Sequence, residues 1–266
     1  MAEEKGMDPE KSQIDDDVDD ETEEYIENPL KRAFLVYFSP THVYKSLAVK
    51  SSKLDWIIPL TLSLLLSLFL LNVGYEYLQN DNTEARIKRI ENNTTLSDEQ
   101  KSQTIDRLNE TMGKMVGIQR IMINVSAVIG TIVWALVIAL VIMLISKVLF
   151  EKTIAYGDAF KIGALGSMTT LLSSIVKLPL IFYFESFSRA KTSLGLLLPE
   201  GMEEGFLVKL IDIDIFLLWY VIIISIGMSV FANSSIKKAF ISLLLLWLVF
   251  RIVVISISGS LSSMGM

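Results

Sequence analysis

The sequence contains no cysteine and only one histidine, His42. The missing cysteine excludes disulfides, thiolate metal sites and cysteine nucleophiles. The sequence also lacks a phosphate-binding Gly-x-x-x-x-Gly-Lys loop, a Gly-x-Ser-x-Gly elbow and a His-Glu-x-x-His zinc motif. General-base catalysis by His42 would need a positioned neighbour, and the sequence around it suggests none. We therefore expect a protein without an enzymatic active site, a cofactor or a bound metal.

Charged residues are also scarce, at 20% of the 266 residues, whereas 52% are hydrophobic and the mean hydropathy is +0.49. The hydrophobic residues form five blocks, each long enough to cross a hydrocarbon core, which takes roughly 20 helical residues. The predicted spans are Trp56–Gly74, Ile121–Phe150, Ile162–Phe184, Ile211–Phe231 and Ala239–Ile257. The predicted fold is therefore an all-α, polytopic membrane bundle with a five-span domain at 54–258. The second span exceeds the required length, so we expect it to tilt or to continue into water as a helix.

Basic residues in the short loops indicate the orientation in the membrane. One side would hold Lys31, Arg32, Lys45, Lys50, Lys53, Lys147, Lys152, Lys161, Lys237 and Lys238. The other side would hold only Arg189, Lys191 and Lys209, apart from a longer segment at 79–120 in which acids nearly balance the bases. The sequence therefore predicts a cytoplasmic N-terminus, with a short tail at 259–266 on the outer side.

The first 28 residues contain thirteen acidic side chains against two lysines, and they supply most of the net charge of −6. Such a segment cannot bury enough apolar surface to offset its ordering entropy, so we expect a disordered acidic tail. Residues 29–53 instead carry apolar side chains at helical spacing, with Ser39 and Pro40 suited to start a second helix. They predict amphipathic helices at the membrane interface. No clustered basic face indicates nucleic acid as a partner.

Residues 79–120 predict an extracytoplasmic helical hairpin. Ile87 and Ile90 share one helical face, and Ile105 and Leu108 share another after the capping-box sequence at 97–100. These four side chains are the candidate docking surface for a partner, because the hairpin is the one sizeable amphipathic element predicted beyond the bilayer.

Four ionisable residues lie within or beside the apolar blocks: Lys177, Asp212, Asp214 and Arg251. Counting helical rise from the predicted span ends places all four in one layer of the outer half of the bilayer. Buried charges of this kind either pair with each other or line a path for protons or ions. Transporters often show repeated halves and broken helices near the midplane, whereas Pro179 is the only clear interior helix breaker in this sequence and no internal repeat is evident. A clasp between helices and a conduction path both remain open from the sequence.

The order of several short motifs resembles the Yip family of five-helix membrane proteins over residues 34–258. The motifs are Phe38-Ser39-Pro40, Asp55-Trp56-Ile57-Ile58-Pro59, Gly157-Asp158-Ala159-Phe160-Lys161, Lys177-Leu178-Pro179, Asp212-Ile213-Asp214-Ile215-Phe216-Leu217-Leu218-Trp219 and Lys237-Lys238-Ala239. The resemblance implies five spans, a cytoplasmic N-terminus and no catalysis. Eukaryotic members interact with Rab-type GTPases, but this chain lacks their Tyr-Gly-Pro-Leu stretch, which points to the bacterial branch and the cytoplasmic (inner) membrane.

Some bacterial relatives look like accessory subunits of ABC-type exporters that carry an extracytoplasmic adaptor. By analogy, the expected function is an accessory or assembly subunit whose partners are membrane lipid and the ABC transporter and adaptor subunits. The alternatives are a small-solute or ion transporter and, for a eukaryotic source, a trafficking factor.

Overall fold

The structure is a computed structural model that describes residues 25–193, 210 and 212–263. Within these residues the chain forms nine α-helices and no β-strand, which confirms the all-α class. The helices are α1 (Pro29–Leu35), α2 (Pro40–Val49), α3 (Leu54–Val73), α4 (Tyr75–Glu91), α5 (Asp98–Leu149), α6 (Tyr156–Gly166), α7 (Met168–Phe184), α8 (Ile215–Ala232) and α9 (Ile236–Ser263). The predicted tail at 259–266 is thus helical as far as Ser263.

Five segments of the described chain are long and apolar enough to cross a membrane, which confirms the predicted number of spans. They are Leu54–Val73, Val116–Leu149, Tyr156–Phe184, Ile215–Ala232 and Ile236–Ile257. The third consists of α6 and α7, separated by the single turn residue Ser167. Pro179 lies inside α7 without ending it, so the expected helix breaker is not where the interruption occurs. Ile211, the predicted start of the fourth span, lies outside the described residues.

The second span and the second arm of the hairpin are one helix of 52 residues, α5. Its start is fixed by the predicted capping box, in which the Ser97 hydroxyl accepts from the Gln100 amide and the Gln100 side chain accepts from the Ser97 amide. At 1.5 Å per residue the helix is about 78 Å long, more than twice the thickness of a hydrocarbon core. The excess length projects beyond the bilayer and pairs with α4.

The two predicted N-terminal helices form, and one apolar face packs against the bundle while Phe34 and Phe38 are 49% and 82% exposed. Val43, Tyr44 and Leu47 of α2 are at most 2% exposed. The Tyr37 hydroxyl, between α1 and α2, donates to the carbonyl of Met168 beside the interruption in the third span. The buried faces of these helices are therefore part of the protein core, and the position of their exposed apolar side chains at the membrane interface stays a prediction.

The packing centre of the described bundle is α8. Ile223, Ile224 and Met228 are at most 2% exposed, and Gly227 lets α2 and α6 approach α8 closely. A Cβ on Gly227 would lie 2.7 Å from Ile162 Cγ2 and 2.9 Å from the Tyr44 ring. By contrast, the membrane-spanning windows of α5 and α9 are only 17% and 6% buried. These two helices form the periphery and present apolar surface to lipid or to other subunits.

Candidate functional site

Lys177 and Asp214, two members of the predicted charged layer, are in direct contact. Lys177 Nζ lies 3.3 Å from Asp214 Oδ2, and the two side chains are 30% and 29% exposed. Asp214 is also the N-cap of α8, where its Oδ1 accepts a hydrogen bond from the Phe216 amide. The Thr192 hydroxyl donates to Oδ2 at 2.7 Å. The carboxylate therefore joins α7, α8 and the segment before residue 194.

Asp212 and Arg251 are also in contact, through the backbone of Asp212. The Arg251 guanidinium donates to the backbone carbonyl of Asp212 at 3.3 Å, and it stacks over the Trp247 ring at 5.8 Å. Asp212 precedes the first turn of α8, so its carbonyl is not used within that helix. The structure thus brings all four layer residues to one end of α8, and Lys177 and Asp214 form a carboxylate–cation pair there.

A cleft lined by hydroxyl groups runs from the interruption in the third span toward Asp214. It has two lobes that share Trp134, Ser167, Thr170 and Tyr220. The inner lobe adds Ser63 and Ser67 of α3 and Thr131 of α5, and the outer lobe adds Ser173 and Asp214. The Ser63 hydroxyl donates to the Ser167 carbonyl at 2.9 Å and so closes the inner end. Sequence reasoning missed this cleft, since its residues come from five separate helices.

The base of the hairpin is held by a network of amides and one arginine. Asn72 at the end of α3 accepts from the Arg120 guanidinium at 2.9 Å and donates to the Asn124 amide oxygen at 2.8 Å. One turn further out, Gln79 donates to the Gln119 side chain at 2.9 Å. The Tyr75 hydroxyl donates to the Val116 carbonyl, again between the two arms. These contacts fix α4 against α5 where both helices leave the bundle.

A second contact holds α4 from the other side. Asp81 accepts hydrogen bonds from the Ser186 hydroxyl at 2.9 Å and from the Ser188 amide at 2.6 Å. Ser186 and Ser188 belong to the segment that follows the third span. The lower half of α4 is therefore tied both to α5 and to the loop after α7.

The four predicted docking residues of the hairpin are all half-buried: Ile87, Ile90, Ile105 and Leu108. Ile90 and Leu108 line one apolar groove between the arms, together with the stems of Arg86, Arg89 and Arg107. The groove thus combines a partly covered apolar floor with a basic rim. The structure brings Ile90 and Leu108 together in this groove, and the docking role of all four residues stays a prediction.

The most buried ion pair of the described chain was missed from sequence. Arg32 and Asp55 are 1% and 0% exposed, with Nη1 of the arginine 2.9 Å from Oδ1 of the aspartate. Arg32 also donates to the carbonyls of Ile26 and Lys50 and to the Tyr25 hydroxyl. Such a fully hydrogen-bonded pair fixes the N-terminal helices against α3. The sequence analysis counted Arg32 among the basic residues of the cytoplasmic side and did not predict its pairing with Asp55.

The contacts of Arg32 also move the boundary of the acidic tail. Residues 1–24, which make up most of the predicted disordered tail, lie outside the described residues. Tyr25 and Ile26, however, are placed by the Arg32 network, and Ile26 is 4% exposed. The packed structure therefore begins before the predicted boundary at residue 28.

The described residues contain no group of three or more His, Asp or Glu side chains that could hold a metal. Two tyrosines outside the spans have perturbed acidities. Burial raises the pKa of Tyr37 from 10.0 to about 12, and burial raises the pKa of Tyr44 well above its usual value. Both hydroxyls stay neutral at physiological pH and donate to carbonyls of the third span. Their role is to hold helices together.

Comparison with known proteins gives one match. The family model of the Yip1 domain matches residues 34–257, which is most of the chain. No curated protein and no solved structure matches it significantly.

Proposed function

Because the chain belongs to the Yip1 family of membrane proteins, and because its hairpin is rigidly joined to its membrane domain, we propose that it is a non-enzymatic accessory or assembly subunit of a membrane complex. In this proposal the hairpin of α4 and the outer part of α5 binds a partner on the outer side of the membrane. The spans of α5 and α9 offer lateral surfaces for further subunits.

The observation that carries the proposal is the continuity of α5. A partner bound at the groove around Ile90 and Leu108 would act on a helix that passes uninterrupted through the bilayer to Leu149. The Asn72 and Asp81 contacts keep the base of the hairpin from bending. A stiff arm with an amphipathic groove suits a docking element, since little conformational entropy is lost when a rigid surface binds.

The basic rim of the groove indicates the chemistry of the partner. Arg86, Arg89 and Arg107 line it, and arginine is enriched at protein interfaces because its planar guanidinium pairs well with carboxylates. We infer that the partner presents apolar side chains flanked by acids. By analogy with bacterial relatives, the partner complex is an ABC-type exporter with an extracytoplasmic adaptor, and the protein lies in the bacterial cytoplasmic membrane with its N-terminus inside and its C-terminus outside.

A second candidate function is the transport of a small solute or an ion. The interrupted third span, the hydroxyl-lined cleft and the Lys177–Asp214 pair at its outer end favour it, because transporter sites use broken helices and intramembrane charges. The Ser63–Ser167 contact that closes the inner end of the cleft weighs against a continuous path.

Co-purification from native membranes in mild detergent tests the first function. The hairpin variant lacks residues 84–112, with the ends joined by a short flexible linker, so the contacts of Asn72, Gln79 and Val116 remain. We expect this variant to insert and to lose the partner subunits that the intact chain retains. A matched control replaces only the turn residues 92–96 by glycine and serine and should keep the partner.

Partner retention by the deletion variant would contradict docking through the hairpin. Solute or ion flux through the purified protein in liposomes, lost on Asp214→Asn without a loss of stability, would instead establish the transporter function.

A further inference from the structure

The hydroxyl-lined cleft has an unusual supply of unused hydrogen-bond donors. Among the described residues, the hydroxyls of Ser67, Thr170 and Ser173 have no hydrogen-bond partner, although all three line the cleft. Ser173 is only 7% exposed, and it lines the outer lobe, where its hydroxyl has no partner among the described residues. A hydroxyl that faces a cleft without a protein partner is available to donate a hydrogen bond to a molecule bound there.

Lys177 extends this row of donors. Thr170, Ser173 and Lys177 follow the spacing i, i+3 and i+7, which places them on one face of α7. The contact with Asp214 is the one polar contact of Lys177 among the described residues, and it occupies one of the three N–H groups of the ammonium. The 30% exposure of Lys177 leaves the other two N–H groups accessible. Spare ammonium and hydroxyl donors together match the oxygens of a phosphate.

The cleft opens toward the surrounding bilayer. Thr170 is exposed, and Trp134, which lines both lobes, is 49% exposed at a level within the spans. A molecule that enters through this side comes from the lipid phase. The lobes of about 240 and 300 Å³ are close to the lower end of the size range of small-molecule sites, about 300 to 1,000 Å³. They would take a headgroup while the acyl chains stay outside.

We propose that this cleft binds one phospholipid by its phosphate. Lys177, Ser173 and Thr170 donate to the phosphate oxygens, and the acyl chains lie over Trp134 on the bilayer side. Asp214 keeps its roles as the N-cap of α8 and as partner of Lys177, so the bound phosphate adds to the ion pair and does not replace it. The proposal concerns the bundle and is independent of any partner at the hairpin.

The test titrates the delipidated full chain in maltoside detergent with dioleoylphosphatidylglycerol and counts bound lipid by native mass spectrometry. The intact chain should bind one molecule more tightly than the rest. Ser173→Ala and Thr170→Val should each weaken this first binding step about tenfold, because each removes a hydrogen bond to a charged group. Thr61→Val makes the same change at an exposed position of α3 outside the cleft and should leave the step unchanged.

Two further probes distinguish binding through the lipid phosphate from binding through the acyl chains alone and from binding of free phosphate. Dioleoylglycerol has the same chains without phosphate and should bind at least tenfold more weakly than the phospholipid. Inorganic phosphate at millimolar concentration should not displace the phospholipid.

Equal binding of dioleoylglycerol would mean a purely apolar groove, and displacement by inorganic phosphate would mean a site for a soluble anion. If Thr61→Val weakened binding as much as the cleft variants, or if neither cleft variant weakened it, the lipid would be bound non-specifically. Each of these results would overturn the proposal.

Discussion

The Lys177–Asp214 pair allows the sharpest quantitative prediction. With 3.3 Å between Lys177 Nζ and Asp214 Oδ2, the Coulomb attraction is about 5 kcal/mol at an effective dielectric of about 20. Both side chains are about one-third exposed, so screening and desolvation reduce this value strongly. Breaking a fully buried pair costs about 3–5 kcal/mol and an exposed pair at most about 1 kcal/mol. We therefore expect Lys177→Met to destabilise the protein by about 1–3 kcal/mol.

Asp214→Asn removes the charge of the partner while the amide oxygen can still cap α8 through the Phe216 N–H. This variant alone should also lower the stability of the protein, because it leaves the Lys177 cation without the negative charge of Asp214 beside it. The double variant should be more stable than the sum of the two single effects predicts, by about 1–2 kcal/mol. Unfolding of the detergent-solubilised protein by denaturant or heat measures the stability of the intact chain, the two single variants and the double variant, which together form a double-mutant cycle. Lys237→Met, at an exposed position, is the control. Strictly additive effects would refute a functional ion pair between these residues.

Three further predictions concern the N-terminal segment and the core. Removal of residues 1–24 should leave the thermal stability unchanged. Removal of 1–28 should lower it by several degrees, because this deletion also takes the Tyr25 hydroxyl and the Ile26 carbonyl, two of the groups that Arg32 binds. Equal effects of the two deletions would contradict this prediction. Gly227→Ala should lower the free energy of unfolding by about 1–3 kcal/mol, because the new methyl group would overlap the Tyr44 ring. An unchanged free energy of unfolding would mean that the helices separate easily and would contradict this prediction. The Tyr37 hydroxyl must stay protonated to donate its hydrogen bond, and its pKa rises from 10.0 to about 12 on folding. The contribution of this hydrogen bond to stability is therefore full below pH 10 and is lost between pH 10 and about 12. In that window the stability of Tyr37→Phe should fall less with rising pH than the stability of the intact chain. Identical pH profiles of the two proteins would refute this prediction.

The spans could be predicted from sequence because the requirement for them is local. A run of apolar residues of the right length needs no knowledge of its neighbours, and five such runs gave five spans. The capping box at Ser97 was equally visible, since its partners are three residues apart. The start of α8 could have been read from the same rule, because an aspartate directly before an apolar run, here Asp214, is a preferred N-cap.

What the sequence did not reveal depends on contacts between distant segments. Arg32 and Asp55 are separated by 23 residues, and nothing local distinguishes Arg32 from the headgroup-facing lysines around it. The interruption of the third span falls at Ser167, where Gly163 and Gly166 lower the helix propensity, and not at Pro179. Proline inside a membrane helix is tolerated when its surroundings satisfy the freed backbone group, so Pro179 was a weak indicator.

The side of the membrane on which the hairpin lies tests the account most directly, because a docking arm for an outer partner must be outside. The natural chain has no cysteine, so single cysteines at positions 95 and 20 report on the hairpin turn and on the acidic tail without background. An impermeant thiol reagent applied to intact cells should label position 95 and should reach position 20 only after the membrane is opened. Labelling of position 20 but not of position 95 in intact cells would contradict the orientation and the proposed outer docking function with it.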